Sequence, residues 1–270
     1  MQHRAITVIA VTAAAAALVA ACSSGKQSPS ATTSLPGSGS SASTPALSGT
    51  IKVLAAASLQ EAFTTLAKQF EAAHPGTTVK LDFGASSALA QQIINGSPAD
   101  VFASASPKNM AQVSTAGDAS ASTNFVKNVM EIAVPPSNPG AITSLSDLTK
   151  SGLKIALCQP QVPCGSTAAA VFKNAKITVK AATLEPDVKS TLAKVEINEV
   201  DAGVVYVTDV RAAGTKVKGV AIDATVNAST EYPIAALAKA ANSAGAQAFV
   251  AYVLSSAGQS VLSADGFEQP

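Results

Sequence analysis

From residue 50 onward, short apolar runs alternate with longer stretches in which apolar residues recur every three or four positions. Ile51-Lys52-Val53-Leu54-Ala55-Ala56 reads as a buried strand. Leu59, Phe63, Leu66, Ala67 and Phe70 then mark one face of a helix from Ser58 to about Ala73. His74-Pro75-Gly76 stops that helix. The same reasoning predicts strands at Val79–Phe83 and Asp100–Ala103, with a helix from Ser87 to Asn95 between them. Further strands are expected at Val129–Val134, Lys154–Leu157, Ala202–Tyr206 and, after Tyr232-Pro233, Ala235–Ala238. Helices are expected at about Gly165–Lys173, Val188–Asn198 and Gly245–Leu262. Strands alternating with helices of this length imply βαβ units on parallel sheets, an α/β fold. No internal repeat is visible.

The first 49 residues follow another pattern. A basic start at Arg4 precedes an apolar stretch, Ala5 to Ala21, of roughly 17 residues, short of the ~20 that a spanning helix needs. With small residues before Cys22 it reads as a secretory signal, residues 1–21. Val19-Ala20-Ala21-Cys22 is similar to a bacterial lipobox, which implies cleavage before Cys22 and a diacylglycerol on its thiol. Ser23 to Gly49 is nearly all Ser, Thr, Pro, Gly and Ala, with Lys26 its only charge. Such a segment has nothing to bury and is expected to be a flexible tether. The expected location is outside the cytoplasmic membrane, held to its outer face by lipid.

Thr50 to Pro270 is long enough to bury a sizeable core, as one domain or two. Charged residues make up only 13% of the chain and the net charge is +1, so nothing points to nucleic acid or an acidic polymer as partner. Cys158 and Cys164, six apart, are expected to form a disulfide in an oxidising compartment.

In open α/β sheets, ligands sit beyond the carboxyl ends of strands, where helices begin. Ser58 follows the first strand, and Ser58-Leu59-Gln60-Glu61 also fits a capping box, which would give the serine a purely structural task. Gly84-Ala85-Ser86-Ser87 follows the second strand, its glycine read as flexible and its serines again as possible N-caps. Pro163-Cys164-Gly165 and Asp187-Val188 open two more helices. Each helix start carries free N–H groups and about half a unit of positive charge, so several starts converging at one sheet end can hold an anion without lysine or arginine. Tyr206, in the apolar strand Val204-Val205-Tyr206-Val207, reads from the residues alone as core.

Several segments resemble the molybdate-binding proteins of ABC transporters. They are Val53-Leu54-Ala55-Ala56-Ala57-Ser58-Leu59, Phe83-Gly84-Ala85-Ser86-Ser87-Ala88-Leu89-Ala90 and Gly96-Ser97-Pro98-Ala99-Asp100-Val101-Phe102-Ala103-Ser104-Ala105. Val162-Pro163-Cys164-Gly165, Glu185-Pro186-Asp187-Val188, Asp201-Ala202-Gly203-Val204-Val205-Tyr206 and Tyr232-Pro233-Ile234-Ala235 follow in the family's order. The resemblance covers essentially all of residues 50–270. It implies a two-lobed, type II periplasmic-binding-protein fold, each lobe a sheet flanked by helices, with ligand in the cleft between lobes. One lobe would be 50–130 plus 229–270 and the other 131–228. It also implies ligand contacts from the hydroxyl and N–H of Ser58 and Ser86, the N–H of Cys164 and Val188, and the Tyr206 hydroxyl. Cys164 stands where the family more often has another small residue, but only its N–H is called on.

All five positions donate, which suits a fully deprotonated dianion and not hydrogen phosphate, whose proton needs an acceptor. Asp187 must therefore cap its own helix instead of facing the anion. The implied ligand is molybdate or tungstate, with sulfate, thiosulfate or another oxyanion as the alternative. No cofactor is expected, and the implied partners are an ABC permease and, through lipid, the membrane, with the protein itself a monomer. Enzyme chemistry is not expected: Gly84-Ala85-Ser86-Ser87-Ala88 lacks the second glycine of a nucleophile elbow. His74, the only histidine after Cys22, sits at a helix end. No His, Cys, Asp or Glu set has metal-ligand spacing.

Overall fold

The computed structural model describes residues 47–270. The signal segment, Cys22 and nearly all of the expected tether lie outside the described residues. The folded body starts slightly earlier than expected, because Leu47 packs against the core and the first strand begins at Gly49.

The strands are β1 (Gly49–Ala56), β2 (Thr77–Gly84), β3 (Val101–Ala103), β4 (Thr123–Val134), β5 (Ile155–Cys158), β6 (Thr183–Glu185), β7 (Ala202–Tyr206), β8 (Lys218–Ala221) and β9 (Ser229–Ala236). They pair in the order β2-β1-β3-β9-β4-β7-β5-β6, with β8 also on β4. The helices are α1 (Gln60–Ala73), α2 (Ser86–Ile94), α3 (Pro107–Thr115), α4 (Pro163–Asn174), α5 (Val188–Glu196), α6 (Val207–Ala213), α7 (Ser243–Leu254) and α8 (Ser256–Ala264).

The sheet is mixed, which corrects the expectation of parallel sheets. β1 is parallel to β2 and β3, and β5 is parallel to β6 and β7, but β4 runs antiparallel to β7, β8 and β9. β8 and β9 run in the same direction, each antiparallel to β4, against successive stretches of that strand.

β4 ties two halves together. Up to Val129 it pairs with β9; from Met130 on it pairs with β7, and from Glu131 with β8. The cores divide at the same point. Ile51, Val53, Phe63, Phe70, Tyr232 and Phe249 belong to one apolar cluster, while Ile132, Ile155, Val171, Leu192 and Val204 belong to another. A smaller cluster under α2 and α3 joins Leu54, Leu89, Phe102 and Met110. Alternation along β1 explains this split, since Ile51, Val53 and Ala55 face α1 and α7 while Leu54 faces the opposite layer.

Other boundaries moved for identifiable reasons. β9 includes Pro233, which was expected to precede its strand. Pro233 lacks an N–H, and β4 accommodates it with a register shift between Asn124 and Val126. The expected single C-terminal helix is two, divided at Ser255, whose hydroxyl bonds the Tyr252 carbonyl and accepts from Gly258 N–H. α3 has only Met110 and Val113 as its apolar stripe, too short to read as periodicity. α6 follows β7 directly, so its valines merged with the strand in the sequence.

Cys158 and Cys164 form a disulfide with Cα atoms 5.8 Å apart, closing the loop that leads into α4. Gly165 lets that loop fold tightly: a Cβ there would lie 2.0 Å from the Gln159 carbonyl oxygen and 2.9 Å from that of Cys158. Gly84, by contrast, has an ordinary φ and would meet only Leu89 side-chain atoms at 3.6 Å, so its expected flexibility is not used. Denaturant unfolding should therefore separate the two positions. Gly165→Ala is expected to lose about 1–3 kcal/mol by overpacking, while Gly84→Ala stays within about 0.5 kcal/mol of the unsubstituted protein.

Candidate functional site

The carboxyl ends of β1, β2, β5, β6 and β7 come together around one cavity. Ser58, Ser86, Cys164, Val188 and Tyr206 all line it, alongside Ala56, Ala57, Gly84, Ala85, Ala105, Val162, Pro163 and Asp187. The five residues picked from the sequence are thus neighbours in space, drawn from both halves of the sheet. None is more than 4% exposed, so a bound group would be almost completely removed from water. The cavity volume is about 20 Å³. Adding a water radius makes that roughly a sphere of 3 Å radius, room for a compact ion but not for a sugar or an amino acid.

Backbone donors open into this space. Ser58 lies in a 3-10 turn, Ala57–Leu59, directly after β1. Ser86 and Val188 are the first residues of α2 and α5, and Cys164 is the second of α4, following Pro163. Residues at these positions have no carbonyl one turn behind them. Their four N–H groups find no acceptor among the described residues. The N-terminal ends of α2, α4 and α5, where the positive ends of their dipoles lie, all border the cavity.

The two serines do not cap their helices, which removes the capping-box reading of Ser58 and the N-cap reading of Ser86 and Ser87. Ser58 Oγ instead lies 2.8 Å from Tyr232 Oη on β9. Ser86 Oγ accepts the Ala105 N–H at 2.9 Å. With a lone pair of Ser86 used in this way, its hydroxyl proton is free to point into the cavity.

Tyr206 is 1% exposed, and its hydroxyl has no hydrogen-bond partner among the described residues. The hydroxyls of Thr167 and Tyr232 lie nearby, and the Thr167 proton is already given to the Pro163 carbonyl at 2.9 Å. Burial pushes the Tyr206 phenol above its ordinary pKa, so it keeps its proton and remains a donor. A buried hydroxyl without a partner costs about 1–3 kcal/mol, which a ligand oxygen in the cavity would recover.

Asp187 behaves as a cap should. Its Oδ1 accepts the Ser190 N–H at 2.8 Å, although the residue contributes to the cavity wall. Asp209 was not picked from the sequence. It is fully buried, takes the Tyr206 N–H on Oδ2 at 3.1 Å and faces Lys189 Nζ with Oδ1 at 3.2 Å. Burial raises its carboxyl pKa, an effect opposed by the Lys189 ammonium. An acid three residues after a strand-ending tyrosine was its only signal. Tyr232 and Ala105 were missed as well: Tyr232 stood beside a proline that seemed to exclude it from a strand, and Ala105 acts through its N–H alone. His74 sits at the C-terminal end of α1, half-buried against Phe70 and away from the cavity lining. Among the described residues, no group of three or more His, Cys, Asp or Glu side chains could hold a metal ion, and no helix is long and apolar enough to cross a membrane.

The chain is similar to known proteins in sequence and in fold. The chain is 41% identical over 239 residues to the molybdate-binding protein ModA of Mycobacterium tuberculosis strain H37Rv, covering 87% of this chain and 92% of that one. The periplasmic molybdate-binding protein of Azotobacter vinelandii superposes with a TM-score of 0.73 at 22% identity, covering 82% of this chain and 99% of that chain. The sulfate-binding protein SubI of M. tuberculosis superposes with a TM-score of 0.71 at 17% identity, covering 82% and 86%. At such identities the two structures speak for the fold alone, that of type II periplasmic binding proteins. The model of the bacterial extracellular solute-binding proteins matches residues 51–268, and the chain belongs to that family.

Proposed function

We propose that this protein captures molybdate, and tungstate with it, outside the cytoplasmic membrane and hands it to the permease of an ABC importer. The observation that carries this reading is the Tyr206 hydroxyl, buried and unpartnered at a cavity whose other offered groups are hydrogen-bond donors. A fully deprotonated tetrahedral dianion satisfies donors from all sides and asks for no acceptor. Hydrogen phosphate would bring a proton with nowhere to go, at the cost of an unpaired buried group. The cavity's dimensions suit a tetrahedral oxyanion. The 41% identity to a relative named for molybdate favours that ion over sulfate.

In this reading the ligands are Ser58 and Ser86 through hydroxyl and N–H, Cys164 and Val188 through N–H, and Tyr206 through its hydroxyl. Residues 50–130 with 229–270 form one lobe and 131–228 the other, so Ser58 and Ser86 approach the ion from one side and the remaining three from the other. Closure of the lobes is supported by the ion pair from Lys189 Nζ, on α5, to Glu61 Oε2, on α1, at 2.9 Å. Lipid on Cys22 and a tether up to about residue 46 would hold the protein, as a monomer, at the outer face of the membrane.

Calorimetric titration of the mature protein with molybdate, tungstate, sulfate and phosphate tests the proposal. Molybdate and tungstate are expected to bind, with sulfate and phosphate weaker by roughly a hundredfold. Sulfate binding as tightly as molybdate would sink the assignment. Ser58→Ala and Ser86→Ala are each expected to weaken molybdate binding by about 1–3 kcal/mol, as lost charge-assisted hydrogen bonds do. Tyr206→Phe should split affinity from stability. It should weaken binding at least about tenfold while leaving unfolding free energy unchanged or up to about 1 kcal/mol higher, since it deletes a hydroxyl that is unpaired without ligand. A Tyr206→Phe protein that binds normally would remove the residue from the site.

A further inference from the structure

Ser58 and Ser86 both offer hydroxyls to the cavity, but their protons are controlled differently. The Ala105 N–H can only donate, so Ser86 Oγ is obliged to accept from it. Ser58 Oγ has a hydroxyl partner, Tyr232 Oη at 2.8 Å, and a pair of hydroxyls can be polarised either way. In one direction Ser58 donates into the cavity; in the other it donates to Tyr232 and turns lone pairs toward a ligand.

The surroundings of Tyr232 select the first direction. Asn128 Oδ1 accepts the Val129 N–H at 3.1 Å, which leaves the amide nitrogen as the end facing the tyrosine. That nitrogen donates to Thr208 Oγ1 at 2.8 Å and, over a longer 3.4 Å, to Tyr232 Oη. An amide N–H cannot accept, and the neighbouring Tyr206 hydroxyl lies outside hydrogen-bond distance of Tyr232, so Ser58 Oγ at 2.8 Å is the near acceptor for the Tyr232 proton. Tyr232 and Asn128 are no more than 1% exposed, so water cannot substitute for either. Burial also holds the Tyr232 phenol well above its ordinary pKa, keeping the proton in place. The ring itself is fixed by Phe125 and Phe267, edge-on at centroid distances of 6.4 and 5.4 Å.

We propose that Tyr232, oriented by Asn128, is a specificity-determining positioning residue: by donating to Ser58 Oγ it locks the Ser58 hydroxyl as a donor and so excludes anions that carry a proton. Tyr232 need not touch the ligand; it acts through Ser58. This rests on the reading of the cavity as an oxyanion site. Without the Tyr232 hydroxyl, the Ser58 hydroxyl is free to rotate and to accept. Deprotonated anions then lose a fixed donor, while hydrogen phosphate gains the acceptor it lacked.

The test is a double-mutant cycle of Tyr232→Phe and Ser58→Ala, read by calorimetric titration with molybdate and by displacement of molybdate with inorganic phosphate. Phenylalanine keeps the buried ring, and thermal unfolding of each variant reports whether the fold is retained. Tyr232→Phe is expected to weaken molybdate roughly three- to tenfold, the worth of one net hydrogen bond. Phosphate should not weaken in parallel, so the molybdate-to-phosphate preference falls by at least that factor. In the Ser58→Ala background, Tyr232→Phe should change either affinity by less than about twofold, because the partner it acts through is gone. An unchanged preference in Tyr232→Phe, including phosphate that still fails to displace molybdate when molybdate affinity is intact, overturns the proposal. So does an equal effect of Tyr232→Phe in both backgrounds. Wild-type protein that binds neither molybdate, sulfate nor phosphate would instead overturn the oxyanion reading itself, and this inference with it.

Discussion

Backbone N–H groups at helix starts have no carbonyl one turn behind them, and in a buried place something must answer them. Here four such groups, from Ser58, Ser86, Cys164 and Val188, meet with a buried phenol in one small cavity. Much of the surrounding structure serves to keep protein acceptors away from them. Asp187 is turned onto Ser190, and Asp209, which accepts the Tyr206 N–H on Oδ2 and faces Lys189 with Oδ1, does not line the cavity. Among the described residues, Asp187 is the one carboxylate that borders the cavity, and its Oδ1 is held by the Ser190 N–H. Selectivity of this kind comes from what the protein withholds as much as from what it offers.

The supports of the site differ in kind. Gly165 and the disulfide fix the turn that presents Cys164, through backbone packing too close for any Cβ. Asp209, fully buried, anchors Tyr206 at the junction of β7 and α6. Lys189 joins the two halves of the molecule, with Glu61 on one and Asp209 on the other. Arg211 does so again, donating to the Ala264 carbonyl at 3.1 Å, and Asn128 a third time through Thr208. Lys189 directly follows Val188, and Asn128 touches Tyr232, the partner of Ser58, so two of these bridges sit close to the cavity lining.

The helix starts were legible in the sequence because amphipathic periodicity and strand-end position are local signals. The starts at Ser58, Ser86, Cys164 and Val188 were visible that way, while their choice as ligands, and that of Tyr206, came from a family resemblance. Other parts were not local. Whether a serine at a helix start caps its own helix depends on what faces it from afar, and Ser58 meets a tyrosine 174 positions away. The antiparallel course of β4 and β9 was hidden because strand direction follows from connection length and partners, which apolar runs do not record. Pro233 obscured β9, since only the compensating shift on β4 lets a proline sit inside it. Asp209 and Ala105 had little chance of being noticed, one an ordinary helix-start acid and the other acting through backbone alone.

An oxyanion held in this cavity must place its oxygens against the buried donors. Crystals of the mature protein grown with molybdate, with anomalous scattering collected at the molybdenum edge, would locate the metal directly. The prediction is one peak in the cavity, with oxygens about 2.7–3.1 Å from the N–H groups of Ser58, Ser86, Cys164 and Val188 and from the Tyr206 hydroxyl. A peak elsewhere, a Tyr206 hydroxyl still unpaired, or a carboxylate of Asp187 or Asp209 against the ion would contradict it.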